Sequence, residues 1–214
     1  MAPHYKLTYF DLTGLGEPIR YLLNYGNIPF EDVRIPKSSW PDLKDTLNPP
    51  LGQLPLLEVD GEVLFQSIAI SRYVGTVVGL AGSNPLENWQ IDAAVDTVFD
   101  LRIKIFNWYT EQNEELKKEL KETLVREQLP YYLSKFDEWA KKYNGYLAVG
   151  KLTWVDLYFI AIIDFLDEFL PGFIGKPSLL TGYSNLEALK NTVTGLPQIK
   201  KWLETRPKSE YLKL

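Results

Sequence analysis

The first eighty residues alternate between two hydrophobic periods. Tyr5–Phe10 (YKLTYF) and Phe30–Ile35 (FEDVRI) are short runs with aromatic and β-branched residues, the pattern of strands. Between them Glu17–Tyr25 has helical spacing and follows Gly14 and Gly16. Trp40–Leu47 predicts a short helix, and 48–52 (NPPLG) a loop. Two apolar runs, Leu56–Val59 and Glu62–Phe65, flank Asp60-Gly61, a strong two-residue hairpin signal. Gln66-Ser67 then opens a segment with helical spacing at Ile68, Ala69, Tyr73, Val74 and Val77. The predicted order is βαβαββα.

After a linker at 79–84 (GLAGSN) the pattern becomes helical almost throughout. Asn84 suits an N-cap, Pro85 the first helical position, and Glu87 completes a box of the capping type. Apolar positions 91, 94, 95, 98, 101 and 105 predict a helix from 85 to about 110. A second is expected from about 113 to 143, bent near Pro130. A third starts at Thr153, where Thr153 and Asp156 form a capping box and Leu152 and Leu157 a hydrophobic staple. A loop with Pro171, Gly172, Gly175, Pro177 and Gly182 follows, then two short helices. The expected fold is α/β plus all-α: residues 1–79 as the βαβαββα domain, 80–84 as linker, 85–214 as a helical bundle.

Composition narrows the function. At 214 residues the chain can bury roughly 70% of its unfolded surface. A net charge of -5 and a pI of about 5.1 argue against nucleic acid, whose phosphates need clustered Lys and Arg. The longest apolar run, 157–166, is broken by Asp164, so no membrane span is expected. The start lacks a signal-peptide pattern, and a cytoplasmic location is expected. With no cysteine there is neither a disulfide framework nor a protein thiol nucleophile; any thiol chemistry must use a thiol brought by the ligand. The single histidine, His4, stands near the terminus and reads as a surface residue. Gly14 and Gly16 begin a dinucleotide-type glycine motif, but Ile19 occupies the third position and removes it.

Three features carry candidate chemistry. Gln66-Ser67 sits where a strand passes into a helix, and a helix start offers free N–H groups to a carboxylate or phosphate. Leu54-Pro55 precedes the hairpin, where proline suits a first strand position. Tyr9 ends the first strand before a glycine-containing loop. Taken alone, the hairpin and helix start are as well read as packing, and Tyr9 is better read as core.

The runs K-L-T-Y-F at 6–10, W-P-x-L-K at 40–44 and Q-S-x-A-I-x-R-Y at 66–73 resemble the sigma class of the cytosolic glutathione transferases. The Thr153–Asp156 box matches one that this family places at its sixth helix, so the resemblance spans nearly the whole chain. It implies a thioredoxin-like N-terminal domain with a cis proline at Pro55, and a homodimer. It implies glutathione as co-substrate, with Tyr9 as the catalytic hydroxyl at the sulfur. Trp40 and Lys44 are then expected at the glycyl end. Gln53 and Leu54, with Pro55, are expected at the cysteinyl backbone, Gln66 and Ser67 at the γ-glutamyl end, and Gly52 among the glutathione-binding residues. Asp100 is expected at the γ-glutamyl amine of the second subunit. Phe10, Leu15, Phe106, Trp108, Tyr158 and Ile162 are the expected lining of an apolar electrophile pocket.

The chain departs from the family pattern in places. The 48–52 loop is longer than the usual Pro-Phe-Gly, and Gln53 stands where many members have lysine. Leu15 replaces an arginine of the vertebrate prostaglandin D synthases, which favours the invertebrate-like members. Asp92, Asp96 and Asp100 form an acidic stripe. Phe99 interrupts the cluster that holds a divalent cation in the vertebrate synthase, so no metal is expected. The resulting expectation is a transferase that conjugates glutathione to apolar electrophiles, lipid aldehydes or hydroperoxides among them. A glutathione-dependent prostaglandin-type isomerase and a crystallin-like structural protein are the alternatives.

Overall fold

The computed structural model describes residues 3–208. Strand β1 (Tyr5–Phe10) leads through helix α1 (Glu17–Tyr25) to β2 (Phe30–Ile35) and, after a 3-10 turn, to α2 (Trp40–Leu47). The hairpin β3 (Leu56–Val59) and β4 (Glu62–Phe65) follows, then α3 (Ser67–Val77). The sheet order is β2-β1-β3-β4, with β1 and β2 parallel and the remaining pairs antiparallel. Leu7 on β1 faces Leu57 on β3, and both are fully buried. Ile19, Leu22 and Leu23 of α1 and Ile70 and Val74 of α3 cover that core. The sequence pattern placed these seven elements correctly because each changes period at a glycine, proline or Asp-Gly turn.

Helix α4 (Pro85–Thr110) begins as expected, with Asn84 accepting the Glu87 N–H at 3.0 Å. The Glu87 carboxylate reaches one residue further back than in a standard box, to the Ser83 N–H at 2.8 Å, and Lys151 pairs with it at 2.9 Å. The long helix expected over 113–143 is divided. Helix α5 (Glu114–Thr123) passes through a π-helical stretch at Leu124–Gln128 into α6 (Leu129–Lys142), where Pro130 is in the first turn. Proline has no N–H and crowds the carbonyl four residues earlier, so the wider turn falls just before it.

Helix α7 (Trp154–Asp167) starts at the Thr153–Asp156 box. The buried Asp156 carboxylate accepts the N–H groups of Leu147 and Thr153, each at 2.8 Å, and burial pushes its carboxyl up to about 7. Three short helices complete the chain: α8 (Pro171–Ile174), α9 (Ser184–Thr194) and α10 (Pro197–Thr205). Helix α1 packs on α7, and the buried Glu17 accepts hydrogen bonds from Trp202 at 2.7 Å and Arg206 at 2.8 Å. On the other side Gly75 lies flat against Trp154; a Cβ there would come within 2.5 Å of the Trp154 Cβ. These contacts hold the helical layer against the sheet layer and form the cleft between β1 and α4.

Candidate functional site

Tyr9 is the penultimate residue of β1 and only 6% exposed. Its hydroxyl oxygen accepts the Leu15 N–H at 3.0 Å, which leaves the phenolic proton for another acceptor. The loop that supplies this N–H wraps closely around the ring. A Cβ on Gly16 would stand 2.6 Å from the Tyr9 Cδ1, and one on Gly14 2.8 Å from the Tyr9 hydroxyl. Gly14 also has φ +44°, a conformation that favours glycine. The two glycines therefore make room for a tyrosine. Burial raises the Tyr9 pKa, opposed by the Leu15 N–H and by the Arg102 and Arg20 charges, so the phenol is protonated at neutral pH.

The facing wall comes from the hairpin. The Leu54–Pro55 peptide is cis. Gln66 has φ +70° and ψ +109°, an uncommon backbone for a residue with a side chain, and it sets Ser67 at the first turn of α3. Ser67 is nearly buried, at 7% exposure. Gly52 has φ +61°, and a Cβ there would lie 2.8 Å from the Lys44 Cε. Trp40 stands edge-on to Phe10 at 5.4 Å.

These groups surround a cavity of about 400 Å³. Tyr9, Trp40, Gly52, Gln53, Leu54, Pro55, Gln66 and Ser67, scattered over 59 positions of sequence, all line it. Lys44 stands beside it over Gly52. Asp100 is exposed on α4 and outside this cavity; its charge is felt by the phenol of Tyr132. Along the same helix Asp92 pairs with Arg72 at 2.8 Å.

A second cavity of about 260 Å³ adjoins the first. Tyr9, Phe10, Arg102 and Phe106 line both. The second is otherwise mainly apolar, with Leu12, Ile105, Tyr109, Phe165, Leu166 and Phe169 on its wall. Of the residues expected there, Phe10 and Phe106 are present. Leu15 is on the wall of the first cavity instead. Trp108, Tyr158 and Ile162 line neither. Trp108 turns inward to stack edge-on with Phe173 at 5.3 Å. Tyr158 and Ile162 lie inside the bundle, and burial pushes the Tyr158 phenol up to about 12. The face of α7 that reaches the cavity begins later, at Phe165.

Sequence reasoning did not expect Arg102 on the wall of either cavity. A signal was present: Phe99, Arg102 and Phe106 are spaced i, i+3, i+7, a row beside the core stripe of α4.

Comparisons with known proteins find relatives of the same two-part architecture. Residues 5–76 match the family model described as glutathione S-transferase, N-terminal domain, and residues 99–206 match glutathione S-transferase, C-terminal domain. The chain is 44% identical over 208 residues to a protein of Anopheles gambiae named glutathione S-transferase, covering 97% of this chain and 99% of the relative. It is 38% identical over 208 residues to hematopoietic prostaglandin D synthase of Rattus norvegicus, again over 97% and 99%. Among solved structures, prostaglandin synthase D of Nilaparvata lugens superposes with a TM-score of 0.89 at 47% identity, covering 96% of this chain and 99% of that one.

Proposed function

The chain belongs to the glutathione S-transferase family, and from that membership we propose how its two joined cavities divide the work. It is a glutathione transferase. Glutathione supplies the thiol that a chain without cysteine lacks. In our reading the first cavity holds the tripeptide and the second an apolar electrophile, with Tyr9 where they meet. The N-terminal α/β layer and the helical layer, expected from the sequence over 1–79 and 85–214 with a linker at 80–84, each supply one part; residues 1–2 and 209–214 of those spans lie outside the described residues.

Ser67, with the free N–H groups of the first turn of α3, suits the γ-glutamyl carboxylate. The cis Leu54–Pro55 segment offers backbone groups to the cysteinyl unit. Lys44 and Trp40 close the glycyl end, and Gln53 joins Leu54 and Pro55 at the cysteinyl backbone. Asp100 faces outward and serves the γ-glutamyl amine of a second subunit, which makes the working unit a homodimer.

The observation that carries the mechanism is the Tyr9 hydroxyl, whose oxygen accepts from Leu15 and whose proton is therefore free to be donated. A free thiol of pKa about 8.5 is only about 3% thiolate at pH 7. A hydroxyl aimed at the sulfur stabilises the anion more than the thiol. A shift of about two units, worth about 2.7 kcal/mol, makes the thiolate roughly three quarters of the total. Tyr9 stays protonated and acts as an oxyanion-hole donor does.

The sigma-class assignment and a cytoplasmic location belong to the same reading. It is supported by the K-L-T-Y-F and Q-S-x-A-I-x-R-Y runs and by the named relatives. Among the described residues no helix is long and apolar enough to cross a membrane. A second reading, glutathione-dependent isomerisation of a prostaglandin endoperoxide, is favoured by the names of the Rattus and Nilaparvata proteins. Retention on glutathione-agarose followed by an activity panel separates the two. Conjugation of a halogenated nitroarene or lipid aldehyde supports the first. Turnover of the endoperoxide alone, with glutathione recovered, supports the second. A chain that neither binds glutathione nor turns over any substrate leaves a structural, crystallin-like role.

A further inference from the structure

The loop at 11–16 links β1 to α1 and places the Leu15 N–H on the Tyr9 hydroxyl at 3.0 Å. Thr13 lies in the middle of that loop and is 5% exposed. Its neighbours Leu12 and Gly14 line the apolar cavity, and Thr13 does not. Its hydroxyl donates instead to the Glu168 carboxylate at 2.9 Å, across 155 positions of sequence. Glu168 is the C-cap of α7 and also stands behind the cavity, while Phe165, Leu166 and Phe169 around it form part of the wall. The Thr13–Glu168 bond therefore closes the corner where the Tyr9 loop meets the end of α7. Other bonds of the loop stay within the sheet layer. The Asp11 N–H donates to the Ile35 carbonyl and the Glu17 N–H to the Thr13 carbonyl, each at 3.0 Å, and Arg20 donates to the Leu12 carbonyl at 3.0 Å. The Thr13 side chain supplies a tie to the helical layer.

We propose that Glu168 is a positioning residue for thiol activation: by anchoring Thr13 it holds the Leu15 N–H on the Tyr9 oxygen, and so makes Tyr9 a stronger donor to the glutathione sulfur. This rests on the transferase reading above and adds a residue to its mechanism. Only Gly14 separates Thr13 from Leu15, and glycine turns with little restraint. Without Glu168 the Thr13 hydroxyl would be buried and unpaired, so the loop turns about Gly14 to satisfy it. That turn carries the Leu15 N–H off the Tyr9 oxygen. Hydrogen bonds in a chain polarise one another: an N–H that donates to the phenol oxygen draws charge from it and strengthens its O–H as a donor. The Leu15 bond is also one of the influences that oppose the burial raising the Tyr9 pKa. Glu168 lines neither cavity and acts through the loop. The charged groups around it are Asp164, Glu17 and Arg206.

The test titrates the thiolate absorbance of glutathione bound to the full chain, with no electrophile present. Thr13→Val keeps the shape and removes the hydroxyl, and Glu168→Ala removes the acceptor. Each should move the bound thiol up by about 0.4–1 unit, the worth of one hydrogen bond. The double variant should move no further than the larger single shift, because both changes break one bond. Thr13→Ser should restore the wild-type titration. The acid limb of kcat/KM for a halogenated nitroarene should shift by the same amount, so that the loss of rate fades at alkaline pH. Glu168→Gln separates anchoring from charge. Its amide oxygen still accepts, so its upward shift should be smaller than that of Glu168→Ala; a downward shift would show that the Glu168 charge merely opposes the thiolate, and would overturn the proposal. Thermal melts establish that each variant is folded; if Thr13→Val is not, Glu168→Ala decides, since Glu168 is exposed. A wild-type titration in folded Glu168→Ala overturns the proposal. So does a raised electrophile KM with the thiol unmoved, which would make Glu168 a support of the cavity wall alone. Wild-type protein whose bound thiol titrates like free glutathione would overturn the Tyr9 mechanism itself and this inference with it.

Discussion

Gly16→Ala tests whether the first loop exists to seat Tyr9. Gly16 has φ -78° and ψ -28°, ordinary helical geometry, so alanine strains no backbone. It even removes some unfolded-chain freedom, a gain of about 0.4–1 kcal/mol. The new methyl, however, would lie 2.6 Å from the Tyr9 Cδ1, 2.9 Å from Cγ and 3.1 Å from Cβ. Carbon contacts settle at about 3.5–4.0 Å, so ring and loop must separate by about 1 Å. The atoms struck are near the root of the side chain, and no free rotation relieves them. Overpacking of this kind costs about 1–3 kcal/mol. The net loss of stability is thus small, and the protein should fold with a modestly lower Tm. Activity should suffer far more, because a displacement of about 1 Å at a reacting centre can cost about a hundredfold. Calorimetry should show near-normal glutathione affinity, since Ser67 and the hairpin are untouched, while kcat for a halogenated nitroarene falls by about two decades. Wild-type kcat in a folded Gly16→Ala protein would refute the idea that this glycine serves Tyr9.

Ser67→Ala should weaken glutathione binding by about 1–3 kcal/mol in calorimetry, the cost of an unmade hydrogen bond to a charged group, and wild-type affinity would remove Ser67 from the site. Asp100→Asn should raise KM for glutathione while sedimentation shows an intact dimer, because a charge-assisted bond is lost on an exposed face; an active wild-type monomer would rule out a shared site. The pH profile of kcat/KM should rise through the pKa of the bound thiol and then stay level to at least about pH 10, the ordinary tyrosine value. Burial holds the Tyr9 phenol above that value, so the donor keeps its proton throughout; a descending limb between pH 7 and about 9 would mean that Tyr9 titrates there.

The sheet domain was legible because its elements are short and sharply punctuated. Asp60-Gly61 fixes the hairpin, and the glycines before α1 and the prolines at 49–50 break the helical pattern. The wall of the first cavity, which we read as the glutathione side, gathers residues from strand ends, helix starts and the loop before the hairpin, positions that local chemistry marks. The apolar cavity was not legible. Trp108 and Ile105 are both large, apolar, buried and on α4, and only the rotation of that helix decides which also lines the cavity. Tyr158 and Phe165 differ in the same way along α7. Arg102 was passed over because a single charge beside an apolar stripe reads as solvated surface. Its place on the cavity wall appears only when Phe99, Phe106 and the two cavities come together. The π-helical stretch before Pro130 was likewise hidden: the proline was visible, but which earlier residues absorb its missing N–H was not.

The central claim is that the Tyr9 hydroxyl ionises the glutathione thiol. Thiolate absorbance of bound glutathione, titrated in wild-type and Tyr9→Phe protein, tests it most directly. Phenylalanine keeps the ring packed between Gly14, Gly16 and Phe10 and removes only the donor. The wild-type complex should titrate near pH 6.5, about two units below the free thiol, and Tyr9→Phe should move up by one unit or more, toward about 8.5, with glutathione still bound. The same titration in both proteins would contradict the account.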